Sequence, residues 1–421
     1  MKKLTYILLV LSSSIGVLLS MFLSSIVRMY AFFAICLYLV LLFALASFTR
    51  QKYDKYLVLF ILGWFVLVRF VFPSKDQYLV VLQGASTAAF ICLHLVLLIG
   101  PWSRISETIQ KRYYYRRHLG ITTLLLALLH VSIVVPTFNY SFHSIFLSPF
   151  TFYGLTAVSL MFWIGLTSWD EVQKKFSRRI WNILHSFLLL CYLSFAYYFY
   201  TVQQTFQNNS LSFHLAMIGI FSLFWIIAAP YSIINRIMNT EVFGWKQFHV
   251  LLYIVYGSVI LHVSFGKLQS LSLGYHIVFW ISITTVVGSH ALGWFIRWNE
   301  DRTIYRKIAS INKKIVENDT TYLGVSTLSE LHEGIGQKVY IDKQPVALFK
   351  HKGDVIAISD VCAHQKGPLH KGKIAGKYVI CPWHFWQYGI IDGRGPPGYH
   401  DCIATYNTKI VDGIVYIGSK K

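Results

Sequence analysis

Charge is scarce in this chain: Asp, Glu, Lys and Arg make up 13% of its 421 residues, and only 18 of them are acidic. So small a polar fraction, beside 55% hydrophobic residues and a mean hydropathy of +0.52, excludes an ordinary soluble protein. Cysteine is scarce too. The six are Cys36, Cys92, Cys191, Cys362, Cys381 and Cys402, three in apolar stretches and three near the C-terminus. That placement excludes a secreted disulfide framework and fits a reducing compartment. Little in the sequence points to a cleavable leader either: Met1-Lys2-Lys3 opens an apolar run that could imitate a signal peptide, but it extends to about Val27 without an obvious small-x-small site and is expected to be a first span. The net charge of +20 lies in short basic clusters between apolar runs, which marks topology and gives no reason to expect nucleic acid.

What the chain has in abundance is apolar length. Runs approaching the roughly 20 helical residues that cross a bilayer lie near 4–27, 29–48, 56–72, 79–100, 118–138, 148–168, 180–200, 211–232, 247–266 and 274–296. The expected fold is therefore a polytopic all-α membrane bundle of about ten transmembrane helices, surrounded by membrane lipid. With the N-terminus inside, sixteen Lys and Arg fall on inner segments and only Arg28, Lys75 and Lys267 on outer loops. This bias places both termini on the cytoplasmic side of the cell membrane.

At Asn299 the pattern changes to a charged stretch and then to short alternating segments. Val339-Tyr340-Ile341, Val346-Ala347-Leu348-Phe349, Val355-Ile356-Ala357-Ile358, Tyr378-Val379-Ile380 and Ile414-Val415-Tyr416-Ile417 read as strands, with turns at Lys352-Gly353-Asp354 and Asp412-Gly413. The expected organisation is N-terminal spans over 1–75, a main transmembrane region over 76–298, a linker over 299–320 and a small all-β domain over 321–421.

The β domain carries the sharpest chemical signal. Cys362-Ala363-His364 is followed by Cys381-Pro382-Trp383-His384, two loops that each offer one thiolate and one imidazole. Two Cys on one iron and two His on the other is the ligand set of a Rieske [2Fe–2S] cluster. A structural zinc site is the rival, but such sites usually pair Cys with Cys and His with His at close spacing.

Histidines inside apolar spans carry the second signal, because an intramembrane polar group is costly unless it binds something. His118 and His130 share the fifth span, His185 lies on the seventh, and His249 and His262 share the ninth. All three spans leave from the inner side. His118, His185 and His249 therefore share one level, and His130 and His262 lie about 18–20 Å deeper at 1.5 Å per residue. Two levels suit two stacked b-type haems with imidazole ligands. Spacings of 12 and 13 residues do not return to one helix face, so the pairing stays open. A repeat links two of the spans: Trp181 precedes His185 by four residues, and Trp245 precedes His249 likewise. His94 and His290 read as structural.

The C-terminal motifs, Cys362-Ala363-His364-Gln365-Lys366-Gly367-Pro368-Leu369, Cys381-Pro382-Trp383-His384 and Gly395-Pro396-Pro397-Gly398, resemble the Rieske ferredoxin family over about 321–421. Neither loop has the additional cysteine of quinol-oxidising Rieske proteins, so the resemblance implies a ferredoxin-like cluster. Residues from about Gly84 to Tyr200, with Gly100-Pro101-Trp102, Arg116-Arg117-His118-Leu119-Gly120, Leu129-His130 and Trp181-Asn182-Ile183-Leu184-His185, resemble the ferric-reductase-like transmembrane family. That resemblance implies haem b, with His130 and His185 at matching ligand positions. A further family histidine is Tyr198 here, and His249 and His262 reproduce its thirteen-residue spacing.

The flavin and nicotinamide module with a glycine-rich phosphate loop, usual in that family, is not found in this sequence. The expected activity is that of an oxidoreductase. A soluble cytoplasmic reductase or ferredoxin would be the electron donor, the cluster and haems the path, and an extracytoplasmic species the acceptor. The alternative is a quinol-linked cytochrome b that feeds the cluster for a cytoplasmic enzyme. A third reading is a redox sensor or transporter, hinted at by the extra N-terminal spans.

Overall fold

The computed structural model describes residues 52–71, 77–110, 113, 115–138, 148–167, 251–364, 367–383, 385–398 and 401–420. Its helices are α1 (Lys52–Val71), α2 (Gln77–Trp102), α3 (Tyr115–Thr137), α4 (Pro149–Thr167), α5 (Leu251–Phe265) and α6 (Leu273–Ile311), with one further turn at Glu107–Gln110. Among the described residues four stretches are long and apolar enough to cross a membrane: Leu79–Trp102, Tyr115–Val135, Leu251–Ser270 and Leu273–Ile311. The remaining spans expected from the sequence fall wholly or partly outside the described residues, or form the shorter apolar helices Leu59–Val71 and Pro149–Gly165.

The chain divides into two compact units, Met1–Val96 with Arg117–Ser282, and Leu97–Arg116 with Ile283–Lys421. In the first, α5 packs along α4. Small residues allow close approach there. A Cβ on Gly154 would lie 2.7 Å from His262 Nδ1 of α5, and on the side of α4 that meets α3 one on Gly165 would lie 2.6 Å from Leu124 Cδ2. Buried hydroxyls return to the backbone one turn earlier, Ser132 to the Leu129 carbonyl at 2.7 Å and Thr123 to the Leu119 carbonyl at 2.8 Å. In apolar surroundings such bonds satisfy groups that water cannot reach.

The second unit contains the β domain. Strands β1 (Lys314–Glu317), β2 (Thr320–Thr327), β3 (Gly336–Ile341), β4 (Gln344–His351), β5 (Asp354–Ser359), β9 (Thr405–Val411) and β10 (Ile414–Lys420) form one sheet in the order β1-β2-β10-β9-β5-β4-β3. Strands β6 (Lys373–Ala375), β7 (Tyr378–Ile380) and β8 (Gln387–Gly389) form a second, antiparallel sheet. The two expected turns are present. Lys352 and Gly353 take φ of +53° and +89°, and Asp412 and Gly413 take +50° and +71°, the paired left-handed conformation of tight hairpins.

Strand β4 reads as a continuous apolar run because both its faces are covered. Val346 and Leu348 enter a core with Val325, Val339, Val415 and Ile417, while Ala347 and Phe349 enter another with Ile358, Leu369, Val379 and Tyr388. Successive side chains on a strand point to opposite faces, so one strand serves two cores.

The stretch 299–320 differs from the expected linker: α6 continues without a break to Ile311, and β1 begins at Lys314. Residues 299–311 contain neither Gly nor Pro, so nothing in them ends the helix. Ile308 packs against the first β core. The Asp301 carboxylate accepts hydrogen bonds from Lys338 Nζ at 2.6 Å and Tyr340 Oη at 2.7 Å, and Tyr305 stacks on Tyr340 at 4.5 Å. Burial, and then Asp301, push the Tyr340 hydroxyl well above its usual pKa, so it remains a donor.

Phe349 is fully buried. Phe349→Ala should cost on the order of 3–5 kcal/mol and lower the unfolding temperature of the domain by more than about 10 °C. The loss of visible cluster absorbance on heating the full chain measures it, and an unchanged midpoint would contradict the two-core arrangement.

Candidate functional site

The cysteine-histidine loops sit where the two sheets meet. Cys362 and His364 follow β5, and Cys381 follows β7; both cysteines are buried members of the second core. The first loop is closed by Asp360, itself buried. Its carboxylate accepts from the His370 amide at 2.7 Å and the His370 ring Nδ1 at 2.8 Å, and its carbonyl accepts from the Leu369 amide at 2.9 Å. The second loop is a tight turn, with the Cys381 amide donating to the Trp386 carbonyl at 2.7 Å and the Phe385 amide to the Cys381 carbonyl at 3.0 Å. Phe385 holds φ at +61°, a conformation that side-chain-bearing residues seldom adopt and that this turn imposes.

Gly367 brings the loops together. Its carbonyl accepts from the Cys362 amide at 3.0 Å, and a Cβ in its place would lie 2.8 Å from Cys381 Sγ and 3.1 Å from Trp383 Cδ2. The His364 ring stacks on Trp386 at 4.5 Å, and both its nitrogens are shielded from solvent. Tyr388, from β8, ties the set together: its oxygen accepts the His364 amide at 3.3 Å, leaving its O–H to donate to Cys362 Sγ at 3.2 Å. Burial, followed by the neighbouring Cys362 sulfur, raises the Tyr388 pKa far above that of free tyrosine, so the hydroxyl keeps its proton. His384 lies outside the described residues, and among those described no three ligand side chains close on one point.

In the first unit His130 and His262 face each other, ring centroids 6.2 Å apart and planes at 85°. His262 Nδ1 is 2.7 Å from the Phe150 carbonyl, and its ring stacks on Phe150 at 4.2 Å. His130 Nδ1 is buried without a hydrogen bond. His94 is placed quite differently. Its Nδ1 meets the Phe90 carbonyl at 2.9 Å and its Nε2 meets Tyr256 Oη at 3.1 Å, so both nitrogens are satisfied within the protein. His118 lies half-buried on α3, and His185 and His249 lie outside the described residues.

Residues 321–400 match the Rieske [2Fe-2S] domain, and residues 85–196 match the ferric reductase like transmembrane component. The chain joins a ferric-reductase-like transmembrane domain to a C-terminal Rieske domain. It is thereby a membrane protein of electron transfer, and the Rieske match supports a [2Fe–2S] cluster over the zinc alternative. Among curated proteins it is similar to the ferredoxin component of the alkene monooxygenase system of Xanthobacter autotrophicus, 29% identical over 25% of this chain and 86% of that protein. It is also similar to the 3-phenylpropionate/cinnamic acid dioxygenase ferredoxin subunit of Photorhabdus laumondii, 30% identical over 23% of this chain and 91% of that subunit. Among solved structures it resembles the Sphingomonas yanoikuyae B1 ferredoxin, with 26% identity, a TM-score of 0.22, and coverage of 23% of this chain and 98% of that one.

Asp360, His370, Gly367 and Tyr388 were not singled out for these roles by the sequence reading. The only signal for Tyr388 in the sequence is its place shortly after Cys381-Pro382-Trp383-His384, since the strand that carries it, Gln387–Gly389, is too short to show a period.

Hydrogen bonds to the sulfurs set the potential of an iron–sulfur cluster. Tyr388→Phe should keep the cluster and lower its midpoint by about 40 mV, the one-electron equivalent of roughly 1 kcal/mol. Redox titration of the EPR signal measures this, and an unchanged midpoint would remove Tyr388 from the account. Gly367→Ala should abolish the cluster altogether, read as iron content.

Proposed function

We propose that this protein carries electrons across the cell membrane, from a soluble cytoplasmic reductase or ferredoxin, through the Rieske cluster and two b-type haems, to an extracytoplasmic acceptor. The His130–His262 pair carries the reading. Two imidazoles bonded through nitrogen to one metal at about 2 Å have centroids about 6 Å apart. The observed 6.2 Å fits that spacing.

The polar accounting fits as well. His262 engages Phe150 through Nδ1 and so keeps Nε2 for a ligand, while His130 holds a buried nitrogen without a hydrogen bond. Leaving such a nitrogen unsatisfied in an apolar interior is costly, and a ligand removes that cost. Gly154 leaves the room that the His262 ring needs. Haem at this position would supply a one-electron carrier in the apolar interior. His118, His185 and His249 are assigned to a second haem nearer the cytoplasm. The cluster is held by Cys362, His364, Cys381 and His384.

Direction follows from the basic residues, which put both termini and the Rieske domain on the cytoplasmic side. The similar curated proteins are named as ferredoxin components of oxygenase systems. That favours a second reading, in which a membrane quinol supplies the haems and the cluster serves a cytoplasmic enzyme. Inverted vesicles separate the two. A cytoplasmic reductase added outside them together with its own reductant should reduce the haems and then a ferric chelate trapped within; haem reduction by quinol alone would favour the second reading.

Imidazole ligands at both axial positions keep haem low-spin, so His262→Ala should lose one haem or convert it to a high-spin form. His94→Ala, which removes a satisfied structural histidine, should leave haem content and spectrum unchanged. The reduced-minus-oxidised spectrum and pyridine haemochrome content check both, and an unaltered His262→Ala spectrum would end the assignment.

A further inference from the structure

We propose that Tyr113 is a docking platform for the second ligand loop, so that the Rieske domain works in one fixed pose against residues 97–116 and does not swing on its connection to α6. This rests on reading Cys362, His364, Cys381 and His384 as the cluster site. The observation that carries it is a flat stack: the Tyr113 and Trp383 rings lie 4.0 Å apart with planes at 13°.

Trp383 stands between Cys381 and His384 and packs over Gly367, so its ring belongs to the wall of the site. Its partner is held as firmly. Arg116 donates to the Tyr113 hydroxyl at 2.9 Å, and its guanidinium lies 5.8 Å from the ring centroid. The segment that bears Tyr113 is fastened to α6. Trp102 Nε1 donates to Ser289 Oγ at 3.2 Å, Arg104 donates to the Gly293 carbonyl at 2.9 Å, and Pro101 lies so close to Gly293 that a Cβ there would be 3.1 Å from it.

The α6 helix in turn holds the β domain through the Asp301 bonds to Lys338 and Tyr340, the Tyr305–Tyr340 stack, the Lys307–Glu330 ion pair and Ile308 in the core. The Lys338 side chain is only 9% exposed, which makes its pairing with Asp301 hard to break. The contacts close a ring from α6 through residues 97–116, Tyr113, Trp383 and the β domain back to α6. Release of the domain from this pose would break the Tyr113–Trp383 stack. Stacked aromatics fix both separation and orientation, which makes Tyr113 a positioning residue for the cluster.

The test is EPR of the reduced cluster in oriented membrane multilayers of the full-length protein. A docked domain gives a Rieske signal whose amplitude depends on the angle between membrane and field. Tyr113→Phe, which keeps the stack, should retain that dependence; the double variant Tyr113→Ala with Asp301→Asn should lose it at unchanged integrated signal. An angle-independent signal from the parent protein, or full dependence in the double variant, would overturn the proposal. Hydrogen exchange of amides 381–390 in nanodiscs reads docking without the cluster and should quicken several-fold in the double variant. Unchanged exchange overturns the docking; altered exchange in a protein without any Rieske signal overturns the cluster reading alone.

Discussion

Burial of β4 on both faces is the constraint on which the C-terminal half depends. Val346 and Leu348 look into a core that also receives Ile308 of α6, while Ala347 and Phe349 look into the core that contains Cys362 and Cys381. One strand thus links the helix that leaves the transmembrane region to the wall behind Cys362 and Cys381. Movement of β4 would disturb anchorage and ligand geometry together, because packed interiors transmit strain.

Around the ligand loops, tight backbone and a few buried polar groups replace bulk. Asp360 closes the first loop on His370, and Gly367 admits the second loop to contact distance. Tyr388 spends its oxygen on the His364 amide and its proton on the Cys362 sulfur. The Asp360 carboxylate and the Tyr388 hydroxyl thus have partners where solvent would otherwise be needed, the condition under which buried polar groups stabilise a site.

The same accounting sorts the intramembrane histidines. His94 has both nitrogens bonded within the protein, so its imidazole is complete without a ligand. His130 and His262 face one another at 6.2 Å across adjacent helices, with buried nitrogen capacity remaining. Identical side chains in equally apolar spans therefore differ in the hydrogen-bonding capacity they have left, because their neighbours differ.

The sequence by itself determined the lipid-embedded character, the change of composition at Asn299, the five strands read from alternation or apolar runs, and the Cys-x-His and Cys-Pro-Trp-His loops. Each is a local pattern enforced by bilayer thickness, strand period or ligand chemistry. Tertiary structure alone decided the rest. The helical continuation to Ile311 depends on Ile308 and Asp301 finding partners in the β domain, and charge composition there reads equally well as a linker. The strands 314–317, 373–375 and 387–389 are short and take their pairing from neighbours, so no periodicity announces them. Tyr388 and Tyr113 reach their partners 26 residues from Cys362 and 270 residues from Trp383. Contacts at such separations are set by packing, which spacing along a chain does not encode.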